Sequence, residues 1–217
     1  MKVSRKIAVF GSLVLGIAGL LLGLRSYEKH LAEQKGLLQL ANETRAKAEQ
    51  SDVPAEFELG RMYFGSGLPK DYGEAIRWFR KAADQEYPKA EFNLGQMYHQ
   101  GEGVTKDYAE AHRWLQKAAD QGNAKAQDAL GYMYYNGYYN GEGVPLDYTE
   151  AAHWYRKGAE QGDTLAEQGL AYMYVKGQGV EQDDTQAVAW YQKAAEQGDP
   201  VAQTSLGYMY AYGSHSR

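Results

Sequence analysis

Apolar residues recur along this chain at helical spacing, twice per unit, in a unit that repeats. From Ala90 the chain reads AEFNLGQMYHQGEGVTKDYAEAHRWLQKAADQGN, and the same pattern starts at Ala55, Ala126 and Ala166. From Ala202 only its first half follows, as AQTSLGYMYAYG. Ala90, Leu94 and Met97 lie at i, i+4 and i+7, the buried stripe of a first helix over Ala90–Tyr98. Glycines at 101 and 103 end that helix. Asp107 then suits the N-cap of a second helix that carries Ala111, Trp114, Leu115, Ala118 and Ala119, and Asp71 and Asp147 stand in the same place. The Gln-Gly-Asn at 121–123 ends the second helix.

The opening alanines are spaced by 35, 36, 40 and 36 residues, and Trp78, Trp114, Trp154 and Trp190 by 36, 40 and 36. Each Trp follows an alanine (75, 111, 151, 187) by three residues, and that alanine precedes the next opening alanine by 15. All length variation therefore falls in the loop between the two helices. The longest unit contains a tandem duplication, Tyr134-Tyr135-Asn136-Gly137 then Tyr138-Tyr139-Asn140-Gly141, and Tyr138 and Tyr139 are candidate contacts to a partner. A period of this length describes small units that stack. Gly60, Gly95, Gly131 and Gly207 share one slot, filled by Ala171 in the fourth unit, where a neighbouring backbone is expected to come close. The four tryptophans are expected to fill space between helix pairs.

Before the array, Ile7–Leu24 is an 18-residue run without charge, preceded by Lys2, Arg5 and Lys6. At 1.5 Å per residue it nearly crosses a hydrocarbon core of ~30 Å. The pattern predicts a basic cytoplasmic flank (1–6), a signal anchor (7–24) and an array outside the cytoplasmic membrane. A cleaved signal remains the alternative, although cutting after Ala18 would leave Leu20, Leu21 and Leu22 exposed. Gly19 and Gly23 have the GxxxG spacing through which two anchors would pack as a homodimer. Residues 25–54 form a helical linker, and Leu37–Gln50 reads as a degenerate second helix that covers the first full unit. The units follow as 55–89, 90–125, 126–165 and 166–201, with a half unit and tail over 202–217.

Charge and chemistry narrow the function. The net charge is −5 with no basic block, so nucleic acid is an unsuitable partner. The chain has no cysteine, which excludes disulfides, thiolate zinc sites and a catalytic Cys. His30, His99, His112, His153 and His215 are scattered, and no HExxH, GxSxG or phosphate-binding loop occurs. No catalytic residue, metal ligand or cofactor site is assigned, and an enzyme is not expected.

A-x-x-x-L-G-x-M-Y, then G-x-G-V-x-x-D, then A-x-x-W-[YFL]-x-K-A-A-[DE]-Q-G resembles the Sel1-like repeat family, relatives of tetratricopeptide repeats, over residues 55–213. Departures are Ala171 for Gly, the short Gly65-Ser66-Gly67 turn, Gly158 for Ala, and Asp184 where other units have Tyr. The resemblance implies an all-α, right-handed α-solenoid that serves as an adaptor or scaffold in protein complexes of the bacterial envelope, in signalling or in host contact. One cysteine-rich branch is linked to β-lactam or cell-wall fragments, and its paired cysteines are missing here. Binding or hydrolysis of cell-wall ligands therefore stands as an alternative, and a structural spacer without a specific partner as another.

The first helices are expected to line the concave side of such an array. Their unit positions 3, 7 and 10 vary while the core positions repeat, as an address surface requires. They are Phe57, Arg61 and Phe64; Phe92, Gln96 and His99; Asp128, Tyr132 and Tyr135; Gln168, Tyr172 and Val175; Thr204, Tyr208 and Ala211. Tyr132, Tyr172 and Tyr208 would form a stripe suited to a protein interface.

Overall fold

The computed structural model describes residues 26–137 and 144–212, apart from the side chain of Tyr212. The described residues hold ten helices and no strand. α1 covers 26–48. It is followed by α2 (Val53–Phe64), α3 (Tyr72–Ala83), α4 (Pro88–Gln100), α5 (Tyr108–Asp120) and α6 (Ala124–Asn136). α7 (Tyr148–Glu160), α8 (Thr164–Lys176), α9 (Asp184–Glu196) and α10 (Pro200–Tyr212) complete the array. From α2 onward, even numbers are first helices and odd numbers second helices. Each packs mainly on the helix before and the helix after it, which makes a solenoid.

The first helices start two residues before the opening alanines, because the turn that ends one second helix also caps the next first helix. Asp52, Asn123 and Asp163 accept the backbone N–H of Ala55, Ala126 and Ala166 at 2.9, 3.0 and 3.1 Å. The 121–123 segment ends α5 as expected, and its Asn123 also serves as the N-cap of α6. Asp71, Asp107, Asp147 and Asp183 cap the second helices through the N–H groups of Glu74, Glu110, Glu150 and Gln186.

The stripe of positions 1, 5 and 8 is buried in four units: Ala90, Leu94 and Met97 are fully buried, their counterparts around Leu130 and Leu170 likewise, and Ala55 and Met62 beside Leu59 nearly so. Trp78, Trp114 and Trp154 are buried too, each with a lysine ammonium 4.4–4.8 Å from its ring centre. Trp190 is only half-buried, at the thinner end of the array.

The glycine slot serves a side chain more than a backbone. A Cβ at Gly60, Gly95 or Gly131 would lie 2.6 Å from Phe79, Leu115 or Tyr155 of the unit's own second helix. At Gly207 nothing lies within 4 Å and the residue is exposed, so the packing role expected there is corrected. No second helix follows α10 among the described residues, and Leu206 and Met209 are accordingly half-buried.

The lengthened loop leaves its ends unchanged. The N–H of Asp147 bonds to the carbonyl of Tyr134 at 3.0 Å, as Asp107 bonds to Tyr98 at 3.0 Å and Asp183 to Tyr174 at 3.1 Å. The duplicated residues Tyr138 and Tyr139 lie outside the described residues. So do the basic flank, the 7–24 run with Gly19 and Gly23, and His215. No helix among the described residues is long and apolar enough to cross a membrane.

α1 covers the first unit with its C-terminal half. Ala41 and Ala48 are buried against Leu59, Met62 and Trp78, while Tyr27, Leu31, Leu38 and Leu40 are exposed. Arg45 of α1 hydrogen-bonds to the Tyr63 hydroxyl. The same 18-residue spacing joins Arg80 to Tyr98 and Arg156 to Tyr174. Where the spacing would need Gln116, His112 one turn earlier meets the Tyr134 hydroxyl at 3.0 Å instead.

Candidate functional site

A helix places residues 3 and 7 one turn apart on one side, yet the array treats them differently. Position 7 forms the outer ridge of the first helices. Arg61 is exposed, Gln96 half-buried, and Tyr132, Tyr172 and Tyr208 are 48, 40 and 66% exposed. Position 3 is covered more deeply. Phe57 is only 7% exposed, with Phe79 and Tyr87 ring centres 5.7 and 5.3 Å away, so its assignment to an open face is corrected. Phe92, Asp128 and Gln168 are half-buried, and only Thr204 of the final helix is exposed.

Position 10 is intermediate. Phe64 stacks obliquely on Tyr72 at 5.6 Å, and His99 meets Tyr108 edge-on at 5.4 Å. Burial lowers the His99 pKa from the usual imidazole value. Tyr135 hydrogen-bonds through its hydroxyl to Gln178 Oε1 at 3.2 Å and sits 6.0 Å from the Tyr172 ring. Burial, then its neighbour Tyr172, pushes the Tyr135 phenol up to about 12. Asp128 is raised to about 7, first by burial and then by the charge of Asp163.

Two open grooves flank the ridge. One, of about 600 Å³, lies between α8 and α10 and is mostly apolar, with Tyr172, Val175, Val201, Tyr208 and Met209 on its walls. The other, of about 560 Å³, crosses α2, α4 and α6. Its floor is Phe57, Phe64 and Phe92, and its rim carries Arg61, Lys89 and Lys125. Among the described residues no group of three His, Asp or Glu side chains is placed to hold a metal ion.

Position 2 was missed by periodicity. Glu56, Glu91, Gln127 and Glu167 are buried polar side chains in otherwise apolar helix faces. Each accepts a hydrogen bond of 2.7–2.8 Å from Gln85, Gln121, Gln161 or Gln197, at the end of the same unit's second helix. The signal was present in the recurrent Glu/Gln after each opening alanine and in the recurrent Gln before each turn glycine. The second position of each first helix was missed as well: Pro54, Lys89, Lys125, Leu165 and Val201 vary there as an address surface would.

The Sel1 repeat model matches residues 53–87, 88–123, 124–163, 164–199 and 200–216. The chain belongs to the Sel1 repeat family. Sel1 repeats are generally protein-interaction scaffolds. A protective antigen of uropathogenic Escherichia coli displaying an SLR fold is similar at 43% identity and TM-score 0.76, over 82% of this chain and 37% of that one. The chain thus spans 37% of the length of that relative. A Sel1 repeat protein from Oxalobacter formigenes matches at 39% identity and TM-score 0.74, over 81% of this chain and 70% of its own. Helicobacter pylori cysteine rich protein B matches at 27% identity and TM-score 0.50, over 65% of this chain and all 100% of its own. No curated protein matches the chain.

Proposed function

We propose that this Sel1 repeat chain is an adaptor that grips a protein partner along the first-helix ridge, and that Ile7–Leu24 ties it to the cytoplasmic membrane with the array on the far side. The observation that carries the binding reading is the exposure of Tyr132, Tyr172 and Tyr208 at one unit position on successive first helices. Three large rings held partly in solvent by a rigid frame give contact area without an ordering cost on the scaffold. The 18-residue uncharged run and its basic flank support the membrane attachment.

Replacing Tyr132, Tyr172 and Tyr208 together with Ser tests the ridge. Partner capture by crosslinking in native cells, read by mass spectrometry, should be lost while melting temperature stays near that of the wild-type protein. A large fall in melting temperature would instead assign the rings to the inter-unit core. Protease added to intact spheroplasts should digest the array; protection there would reverse the orientation.

A further inference from the structure

The groove across α2, α4 and α6 runs against the charge of the protein. The chain carries −5, yet this groove presents Arg61, Lys89 and Lys125 against one acid, Glu58. Glu58 is already paired with Arg61 at 3.1 Å. Lys89 and Lys125 make no ion pair among the described residues. Both are the second residue of a first helix, where the positive end of the helix dipole disfavours a cation. The same position in α8 and α10 holds Leu165 and Val201, so the fold does not require lysine there. Beneath the cations lies the aromatic floor of Phe57, Phe64 and Phe92, with Asn93 one turn beyond Lys89.

We propose that this groove binds an extended acidic segment of the protein partner, in which carboxylates flank an aromatic or aliphatic side chain. The proposal rests on the adaptor reading and names the chemistry of what is bound at the N-terminal half of the array. Carboxylates meet Lys89 and Lys125, and the apolar side chain lies on Phe64 and Phe92. The groove runs across three successive first helices, so an extended segment fits it better than a compact one. Opposite charges across the rim speed encounter and reject basic segments. Glu58 on the same rim, and the negative field of the whole chain, disfavour a nucleic-acid backbone.

The test uses the full chain in neutral detergent and a rhodamine-labelled peptide in which glutamates flank a phenylalanine, read by fluorescence anisotropy. The glutamate peptide should bind, with affinity falling as salt rises, and its counterpart with lysines in place of the glutamates should not. Lys89→Glu with Lys125→Glu should weaken binding about tenfold or more. Lys89→Arg with Lys125→Arg should retain binding, which separates loss of charge from loss of fold. Equal binding of both peptides, unchanged binding by the double glutamate variant, or equally tight binding of a single-stranded oligonucleotide would overturn the proposal. If the peptide fails while the Tyr132, Tyr172 and Tyr208 variant still loses its partner, the groove proposal falls and the adaptor reading stands. If that triple variant keeps its partner with an unchanged fold, the ridge reading falls on its own.

Discussion

Gln121 closes over a buried carboxylate: its Nε2 lies 2.7 Å from Oε2 of Glu91, a side chain only 1% exposed. The contact ties the N-terminus of one first helix to the end of its second helix, and it recurs in four units. Gln121→Ala leaves that carboxylate without its donor, and the cost should be about 1–3 kcal/mol in urea unfolding. Glu91→Gln should be far milder, because the third unit already holds Gln127 in this place with Gln161 at 2.7 Å.

The same pair sets a pH dependence. Burial raises the Glu91 carboxyl above its ordinary range, against the pull of Lys117. A raised folded value favours the protonated group in the folded state. Its contribution is therefore fully present below the unfolded value of about 4.3 and fades as pH rises through the raised folded value. Glu91→Gln should accordingly gain on the wild-type protein as pH rises from about 4 to about 7, read from urea midpoints. A constant difference across that range would show that Glu91 titrates as an ordinary surface acid.

Asp128 should act in the same direction at higher pH. Its carboxyl is raised to about 7 by burial and by Asp163. The stabilising contribution of the protonated acid is complete below about 3.9 and disappears as pH passes about 7. Asp128→Asn should therefore be more stable than the wild-type protein above pH 7, with the gap closing in acid. Thermal melts in matched buffers measure it, and a gap that widened toward acid would refute it.

The glycine slot offers a paired test with opposite signs. A Cβ at Gly131 would stand 2.6 Å from the Tyr155 ring, so Gly131→Ala should cost about 1–3 kcal/mol despite better helix propensity. Gly207 has nothing within 4 Å, so Gly207→Ala should instead gain up to about 1 kcal/mol. Tyr155→Leu should not rescue the Gly131→Ala loss, since Leu115 would stand just as close, at 2.6 Å, to a Cβ at Gly95 in the second unit.

Trp114 and Trp190 occupy one unit position but different depths. Trp114 is buried within a cluster with Phe79, Leu94 and Met97, and Trp114→Ala should cost about 3–5 kcal/mol. Trp190 is half-buried, so Trp190→Ala should cost clearly less. Equal melting shifts would show that depth along the array does not grade the core.

Legible from the residues alone were the unit, its two helices, the caps Asp71, Asp107 and Asp147, and the sealed stripe of Ala90, Leu94 and Met97. These are local: periodicity names the apolar side of one helix, and a short polar side chain before it satisfies its first N–H groups. The packing of helix on helix settled whatever depends on a neighbour. It turned Phe57 inward and left Tyr132 outward, although both lie on one side of their helices. It put a ring against Gly131 and open space beside Gly207, although the two share a slot. It brought Gln121 to Glu91 across 30 residues, and Lys89, Lys125 and Phe64 to one groove from three helices. The physical reason is that repeat spacing fixes what each helix presents, whereas the rotation and distance between stacked helices fix which presented residues are covered and which are left to meet a partner.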